Sequence, residues 1–181
     1  MRNSGYMPAS PSQPTVRRAL LTGPDSRQVG RLIGTYLRQT EHEKAVNLSL
    51  PSLGPDEELP PNYQAEVDCP ETVFKTASVY LAEIDAEAVG VAIASKARGA
   101  TEIKRLWADP HVRGRGIGSA LLDAVLREST GVVRLSVWDW RTQAARLYES
   151  RGFVTVPSWD ARPGLMCMER RPEALTPVPL Q

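Results

Sequence analysis

Between Val112 and Leu126 the chain reads VRGRGIGSALLDAVL: Gly114, Gly116 and Gly118 alternate with Arg115 and Ile117, and Arg113 stands just ahead. An apolar run at helical spacing then begins without pause. Glycine lets the backbone take a positive φ and lets a ligand come close to the amide N–H groups. A helix start adds N–H groups that have no intrahelical partner, together with the positive end of the macrodipole. Arg113 and Arg115 add charge-assisted donors. The combination is an anion site suited to a pyrophosphate.

Two common phosphate loops fail on spacing. The dinucleotide fingerprint needs glycine at its first, third and sixth positions. Counted from Gly114, the third is Gly116 but the sixth is Ser119. The nucleoside-triphosphate loop needs Gly-Lys-Ser/Thr, and no such tripeptide exists in the chain. A glycine-rich connection without a ligand is the bland alternative, but each glycine costs backbone entropy.

The elements that must position this loop follow from periodicity and punctuation. TVRRAL suggests a first strand. A helix is expected through PDSRQVGRLIGTYLRQTEHEKA, with Val29, Leu32, Ile33, Tyr36 and Leu37 on one face and Asp25 or Ser26 as its cap. NLSLPSLGPDEELPPNY holds four prolines and is expected to be irregular, its 50–65 portion a candidate lid. A short helix is expected near YQAEVDCPETVF. Two strands follow around a turn at Asp85–Glu87, then a fourth strand, ATEIKRLWADP, stopped by Asp109–Pro110. The glycine loop leads into a helix at about 117–129 with Leu121, Leu122, Val125 and Leu126 on one face. VVRLSVW reads as a fifth strand, TQAARLYESRG as a helix closed by Gly152, and FVTVP and GLMCMER as the last strands. The pattern is a mixed α/β one, a meander followed by strand–helix–strand–helix–strand.

Composition sets the limits. The chain has 181 residues, enough for one domain with a real core. Residues 1–14 are expected to be a disordered tail, 15–171 the domain, and 172–181 a flexible tail. With 22 basic and 21 acidic residues the net charge is +1, which argues against nucleic acid or an anionic membrane as the main partner. No apolar run approaches the ~18–20 residues of a membrane span, and the N-terminus lacks the apolar centre of a signal peptide. Cys69 and Cys167 fit no metal-ligand spacing, and the only histidines are His42 and His111. A cytoplasmic protein with free thiols and no metal is expected.

VRGRGIGSALL resembles the Arg/Gln-x-x-Gly-x-Gly/Ala signature of the GNAT acetyltransferase superfamily, with Arg113, Gly116 and Gly118 at its fixed positions. AARLYESRGF, Ala144 to Phe153, is similar to that family's second hallmark, Ala-x-x-Leu-Tyr-Glu-x-x-Gly-Phe. The resemblance runs from about Thr15 to Arg170 and is strongest over 100–155. It implies the GNAT fold: a central, mostly antiparallel sheet with flanking helices and acetyl-CoA held between two splayed parallel strands, here 101–107 and 132–138. It further implies that the amides of Arg113, Gly114, Arg115, Gly116, Ile117, Gly118 and Ser119 hold the pyrophosphate. The backbone at Leu106, Trp107 and Ala108 would pair with the pantetheine arm like an added strand. The family often has Asn three residues before the alanine that opens the second hallmark. This chain has Arg141 there, which cannot accept a hydrogen bond.

Acetyl transfer needs a deprotonated amine, a stabilised oxyanion and help for the leaving thiolate. The resemblance puts the Tyr148 hydroxyl near the sulfur as donor, with a core aromatic as the alternative role. It puts Glu102 where some members carry a glutamate base, with Glu83 as a rival. Lys104 and Arg105 beside Glu102 favour its ionised form, which argues for a water relay. Trp138, Asp139 and Trp140 stand where the cleft is expected to open, and Trp159 and Asp160 on a later loop. Tryptophans beside carboxylates suit a cationic or aromatic amine. Equally, the tryptophans could pack the core while Asp139 caps the helix starting near Thr142. The implied activity is N-acetylation of a small-molecule or peptide amine by direct transfer, since neither hallmark contains a cysteine. A GNAT-fold module that binds acyl-CoA without turnover is the alternative. A monomer or homodimer is expected.

Overall fold

The computed structural model describes residues 13–54 and 57–172. Apart from 13–14 and 172, the two expected tails lie outside these residues. In chain order the elements are β1 (Thr15–Arg18), α1 (Asp25–Leu48), α2 (Pro61–Asp68), α3 (Pro70–Val73), β2 (Ser78–Ile84), β3 (Glu87–Ala97) and β4 (Ala100–Ala108). There follow α4 (Ile117–Glu128), β5 (Val133–Trp138), α5 (Thr142–Glu149), β6 (Val154–Val156) and β7 (Leu165–Arg170). A single 3-10 turn at Pro110–Val112 joins β4 to the glycine loop.

The strands form one sheet in the order β1-β2-β3-β4-β5-β7-β6. Every pairing is antiparallel except β4 with β5. The β2–β3 hairpin closes through Asp85 and Ala86, both at positive φ (50° and 65°), the backbone that matches the right-handed twist of the strands it joins. β3 is buried without a break from Ala88 to Ala94, because helices cover both faces of the sheet. On one face α1 sets Val29, Leu32, Ile33 and Leu37 against Val91, Ile93 and Trp107. On the other, α4 sets Leu121, Leu122 and Val125 against Ile103, Leu135 and Met168. Each such aliphatic side chain contributes about 1.5–3 kcal/mol on burial.

Two glycines permit close approaches that no larger residue allows. A Cβ on Gly90 would lie 2.8 Å from Ile117 Cγ2 and 3.0 Å from Leu121 Cδ1, so the first turn of α4 rests directly on β3. A Cβ on Gly30 would lie 2.4 Å from the Val67 carbonyl oxygen, so α1 and α2 touch backbone to backbone.

The expected elements differ from the observed ones in detail. Neither Asp25 nor Ser26 caps α1; the cap position is Pro24, which offers no side-chain bond. Asp25 lies inside the first turn, where it accepts hydrogen bonds from Arg17 and from the Leu20 N–H, while the Ser26 hydroxyl donates to Glu71. Among the described residues the proline-rich segment lacks helix and strand only over 49–54 and 57–60. α1 runs to Leu48, and α2 begins at Pro61, where a proline fits because a first-turn N–H has no helical partner. The short helix expected after it is two, α2 and α3.

Candidate active site

β4 and β5 pair only at Thr101–Val133, Glu102–Arg134 and Ile103–Leu135. Beyond that point they separate, and the cause is local. Ile93 of β3 faces Arg105 while Ala94 faces Ile103, so Lys104 is an extra residue on β4. A bulge of this kind bends its strand. β4 then follows β3 to Ala108, while β5 follows β7 to Trp138. The edge of β4 that faces the opening has no strand partner from Lys104 onward.

A cavity lies on either side of this opening. The first, about 740 Å³, runs between the glycine loop and the start of α5; Trp107, Arg113, Gly116, Ser119, Arg141 and Leu147 are among its walls. The second, about 460 Å³, lies between α1, α2 and the loop from β6 to β7, with Tyr36, Glu102, Arg134 and Tyr148 in its walls. Arg141 and Ala144 line both cavities.

The loop has the backbone of an anion cradle. Gly114 (φ 79°) and Gly116 (φ 77°) are left-handed, and a Cβ on either would meet nothing within 4 Å. Gly116 is the N-cap of α4 and provides no side-chain cap, so the first N–H groups of the helix stay open toward the first cavity. Gly118 has a different role. A Cβ there would meet Leu147 Cδ2 at 3.3 Å, so this glycine lets α5 close on α4. Arg113 lies over the Trp107 ring at 5.0 Å at the cavity wall. Leu106 and Arg115 line neither cavity with their side chains. These features fit a pyrophosphate at the start of α4 and an extended polar arm along β4.

Arg141 opens α5 and is tied to α1. Its Nε donates to Glu43 at 2.7 Å, its Nη2 donates to Thr40 Oγ1 at 2.7 Å, and its guanidinium lies 5.2 Å from the Tyr36 ring. Trp140 Nε1 donates to the same Glu43 carboxylate at 3.2 Å. Burial pushes the Glu43 carboxyl up, but hydrogen bonds from Gln39, Arg141 and Trp140 hold it below its usual range.

Tyr148 is buried on α5, tilted against Phe153 at 5.8 Å, yet it reaches the wall of the second cavity. Burial, with Tyr36 beside it, pushes its phenol well above the usual tyrosine range, so it is a proton-bearing donor at neutral pH. Glu102 also lines the second cavity, bonded to Lys104 at 2.5 Å and to Arg134 at 3.0 Å. Burial raises its pKa, but those two bonds outweigh burial and hold the carboxyl below its usual range. Arg105, expected beside Glu102, is instead paired with Glu66 of α2 at 2.7 Å. Glu83 is bonded to Arg17 where β1 meets β2 and lines neither cavity.

Residues 75–155 match the family model of the GNAT acetyltransferase domain. Over this stretch the chain is similar to the GNAT superfamily. Its fold is similar to that of a GNAT-family acetyltransferase from Staphylococcus aureus, with TM-score 0.64 and 14% identity over 87% of this chain and 98% of that one. It is also similar to a GNAT-family acetyltransferase from Elizabethkingia anophelis, solved with acetyl-CoA bound: TM-score 0.55, 14% identity, 88% of this chain and 98% of that one. A third is the ribosomal-protein alanine N-acetyltransferase of Escherichia coli, with TM-score 0.59 and 16% identity over 88% of this chain and 94% of that one. No curated protein sequence matches the chain.

The aromatic and acidic residues expected to receive an amine are engaged with the chain's own arginines. Arg134 lies over the Trp159 ring at 5.3 Å, and Arg162 over Trp138 at 5.7 Å. Trp138 also stacks on Trp140 at 4.7 Å. Asp160 is bonded to Arg162 at 2.6 Å, which holds its carboxyl down at about 2. Asp139 is exposed, lines neither cavity and does not cap α5, whose N-cap is Arg141. Sequence reasoning missed the α1 contribution altogether: Tyr36, Gln39, Thr40 and Glu43. The available signal was the polar stripe of Gln39, Thr40 and Glu43 at helical spacing beside the apolar face that carries Tyr36. Among the described residues no His, Cys, Asp or Glu cluster could hold a metal ion, and no helix is long and apolar enough to cross a membrane.

Proposed function

We propose that this GNAT domain transfers the acetyl group of acetyl-CoA to a primary amine, directly, within a ternary complex. The observation that carries this reading is the meeting of two cavities at the opened β4–β5 edge, one walled by the glycine loop and the other by Tyr148 and Glu102. Acetyl-CoA supplies the activated acyl group. The open N–H groups at the start of α4 bind its pyrophosphate, and the free edge of β4 aligns its arm. A β4 amide near Leu106 or Trp107 donates to the thioester oxygen, and the Tyr148 hydroxyl donates to the departing sulfur. Glu102, held ionised by two cations, is a weak base and takes the amine proton through water.

Cys69 is exposed and Cys167 buried, and neither lines a cavity, which favours direct transfer over an acyl-cysteine. Two free thiols also suit a cytoplasmic setting. The likeness to an N-acetyltransferase of a protein alanine and to a structure holding acetyl-CoA supports amine and donor alike. The double ion pairing of Glu102 favours one other reading, a module that binds acyl-CoA without turnover. The test is thiol release from acetyl-CoA with pooled amines, beside calorimetric binding of acetyl-CoA. Turnover supports the transferase; tight binding with no release from any pool supports the module.

A further inference from the structure

The second cavity is far more basic than the chain. Arg98, Lys104, Arg105, Arg134, Arg141 and Arg162 line it, against Glu102 and Asp160. Three of these cations are matched one to one: Arg105 by Glu66, Arg141 by Glu43, Arg162 by Asp160. Lys104 and Arg134 share the single carboxylate of Glu102. Arg98 has no ion pair or hydrogen bond among the described residues. The cavity therefore carries two positive charges in excess. In addition, Nε of Arg134 is buried and has no hydrogen-bond partner among the described residues. A buried N–H left unpaired costs about 1–3 kcal/mol.

From this juxtaposition we infer that the acceptor is a small amine that also carries a carboxylate, an amino acid or a close analogue, with its carboxylate held at the Arg134–Arg98 end of the second cavity. The inference rests on the transferase reading and names its substrate class. A guanidinium fork is the donor best matched to a carboxylate. A cavity of about 460 Å³ is the size of a small-molecule site. The amine end then lies toward Arg141 and Ala144, where the two cavities meet. Excess positive charge around an ammonium favours its neutral form, which supplies the nucleophile that the ion-paired Glu102 is poorly suited to generate alone. The transfer balances simply: the N–C bond forms, the C–S bond breaks, the amine gives up one proton and the departing sulfur gains one.

The experiment compares thiol release with the common α-amino acids, their carboxamides, 2-aminoethylphosphonate and spermidine. It is run beside calorimetry of CoA-saturated protein with N-acetyl-amino acids and N-acetyl-amino-acid amides. The expected result is a kcat/KM at least tenfold higher for acids than for amides, with spermidine and the phosphonate poorer still. Arg134→Gln and Arg98→Gln are each expected to raise KM for the acid severalfold and leave KM for acetyl-CoA unchanged. Should Arg134→Gln fail to fold, Arg98→Gln and the matched substrate pairs on the unmodified chain still decide. Equal or better use of amides or spermidine overturns the inference. A phosphonate preferred over every carboxylate overturns the choice of carboxylate. If no amine releases thiol, the transferase reading fails, and calorimetry decides alone: tenfold tighter binding of the N-acetyl acids upholds the anion site, and equal binding of acids and amides overturns it.

Discussion

Arg141 at the head of α5 and Glu43 on α1 are joined at 2.7 Å across the mouth of the β4–β5 opening. The pair links an element that follows the opening in the chain to one that precedes it by nearly a hundred residues. Removing Glu43 leaves Arg141 Nε and the Trp140 N–H without their acceptor, while Arg141 Nη2 keeps Thr40. Glu43→Ala is expected to cost about 1–2 kcal/mol and lower Tm by roughly 2–8 °C. It is also expected to raise KM for acetyl-CoA severalfold, because Gln39 and Glu43 wall the first cavity. A thermal melt and steady-state kinetics check both, and an unchanged KM with a normal melt removes the clamp from the account.

Gly116 and Gly118 are expected to respond differently. Gly116→Val forces a β-branched residue into left-handed backbone beside the cavity, so acetyl-CoA affinity should fall more than tenfold, about 1.4 kcal/mol. Gly118→Ala puts a methyl against the flexible end of Leu147 and should cost affinity only a few-fold. Calorimetry on folded variants checks this, and equal losses at the two positions count against an anion cradle at Gly116.

Tyr148→Phe keeps the ring against Phe153 and removes one hydroxyl. A hydrogen bond that strengthens as charge builds on sulfur acts in the transition state, so kcat should fall roughly 10²–10⁴-fold with KM for acetyl-CoA nearly unchanged. Tm should hold. Wild-type turnover in the Phe variant would exclude Tyr148 from the chemistry.

Stability should depend on acid in a defined direction. The carboxyls of Asp25, Glu43, Glu102, Glu128 and Asp160 all lie below their ordinary range, Asp160 at about 2. A depressed folded-state pKa contributes stability that is complete above the unfolded value, about 4. That stability is lost as pH falls through the folded value. Urea unfolding is therefore expected to be flat from pH 7 to about 5 and to weaken between about 4 and 2. Asp25→Asn, which removes the charge and one of the two oxygens that accept from Arg17 and the Leu20 N–H, should lower stability at pH 7 and flatten the acid limb. A variant with an unaltered limb would assign the loss to other groups.

Gly30→Ala tests the α1–α2 contact. The new methyl would overlap the Val67 carbonyl oxygen, which is backbone and cannot swing aside. Overpacking of this kind costs about 1–3 kcal/mol, and Tm is expected to fall by roughly 2–12 °C. An unchanged melt would show that α2 shifts freely on α1.

The amino-acid sequence by itself determined what depends on local spacing. Left-handed backbone at Gly114 and Gly116, the helix that starts on them, and the turn at Asp85–Glu87 follow from residue type and order. So does the pair of hallmarks at Arg113–Gly118 and Ala144–Phe153, because each is a single short run whose chemistry lies within a few residues. Tertiary structure decided what depends on partners far apart in the chain. The extra residue Lys104 opens β4 from β5 only because β3 pairs on its other side, and no local pattern marks that register. Placement of β7 between β5 and β6 likewise appears in no stretch of sequence. The acceptor side shows the difference most directly. Trp138, Trp159 and Asp160 read as a cation site from their types, yet Trp138 and Trp159 each face an arginine brought by another element, and Asp160 is paired with Arg162 of its own loop. Charge in a cavity is a sum over all its walls, and the walls here come from α1, α2, β4, β5 and the β6–β7 loop. Only folding brings those charges within reach of one another.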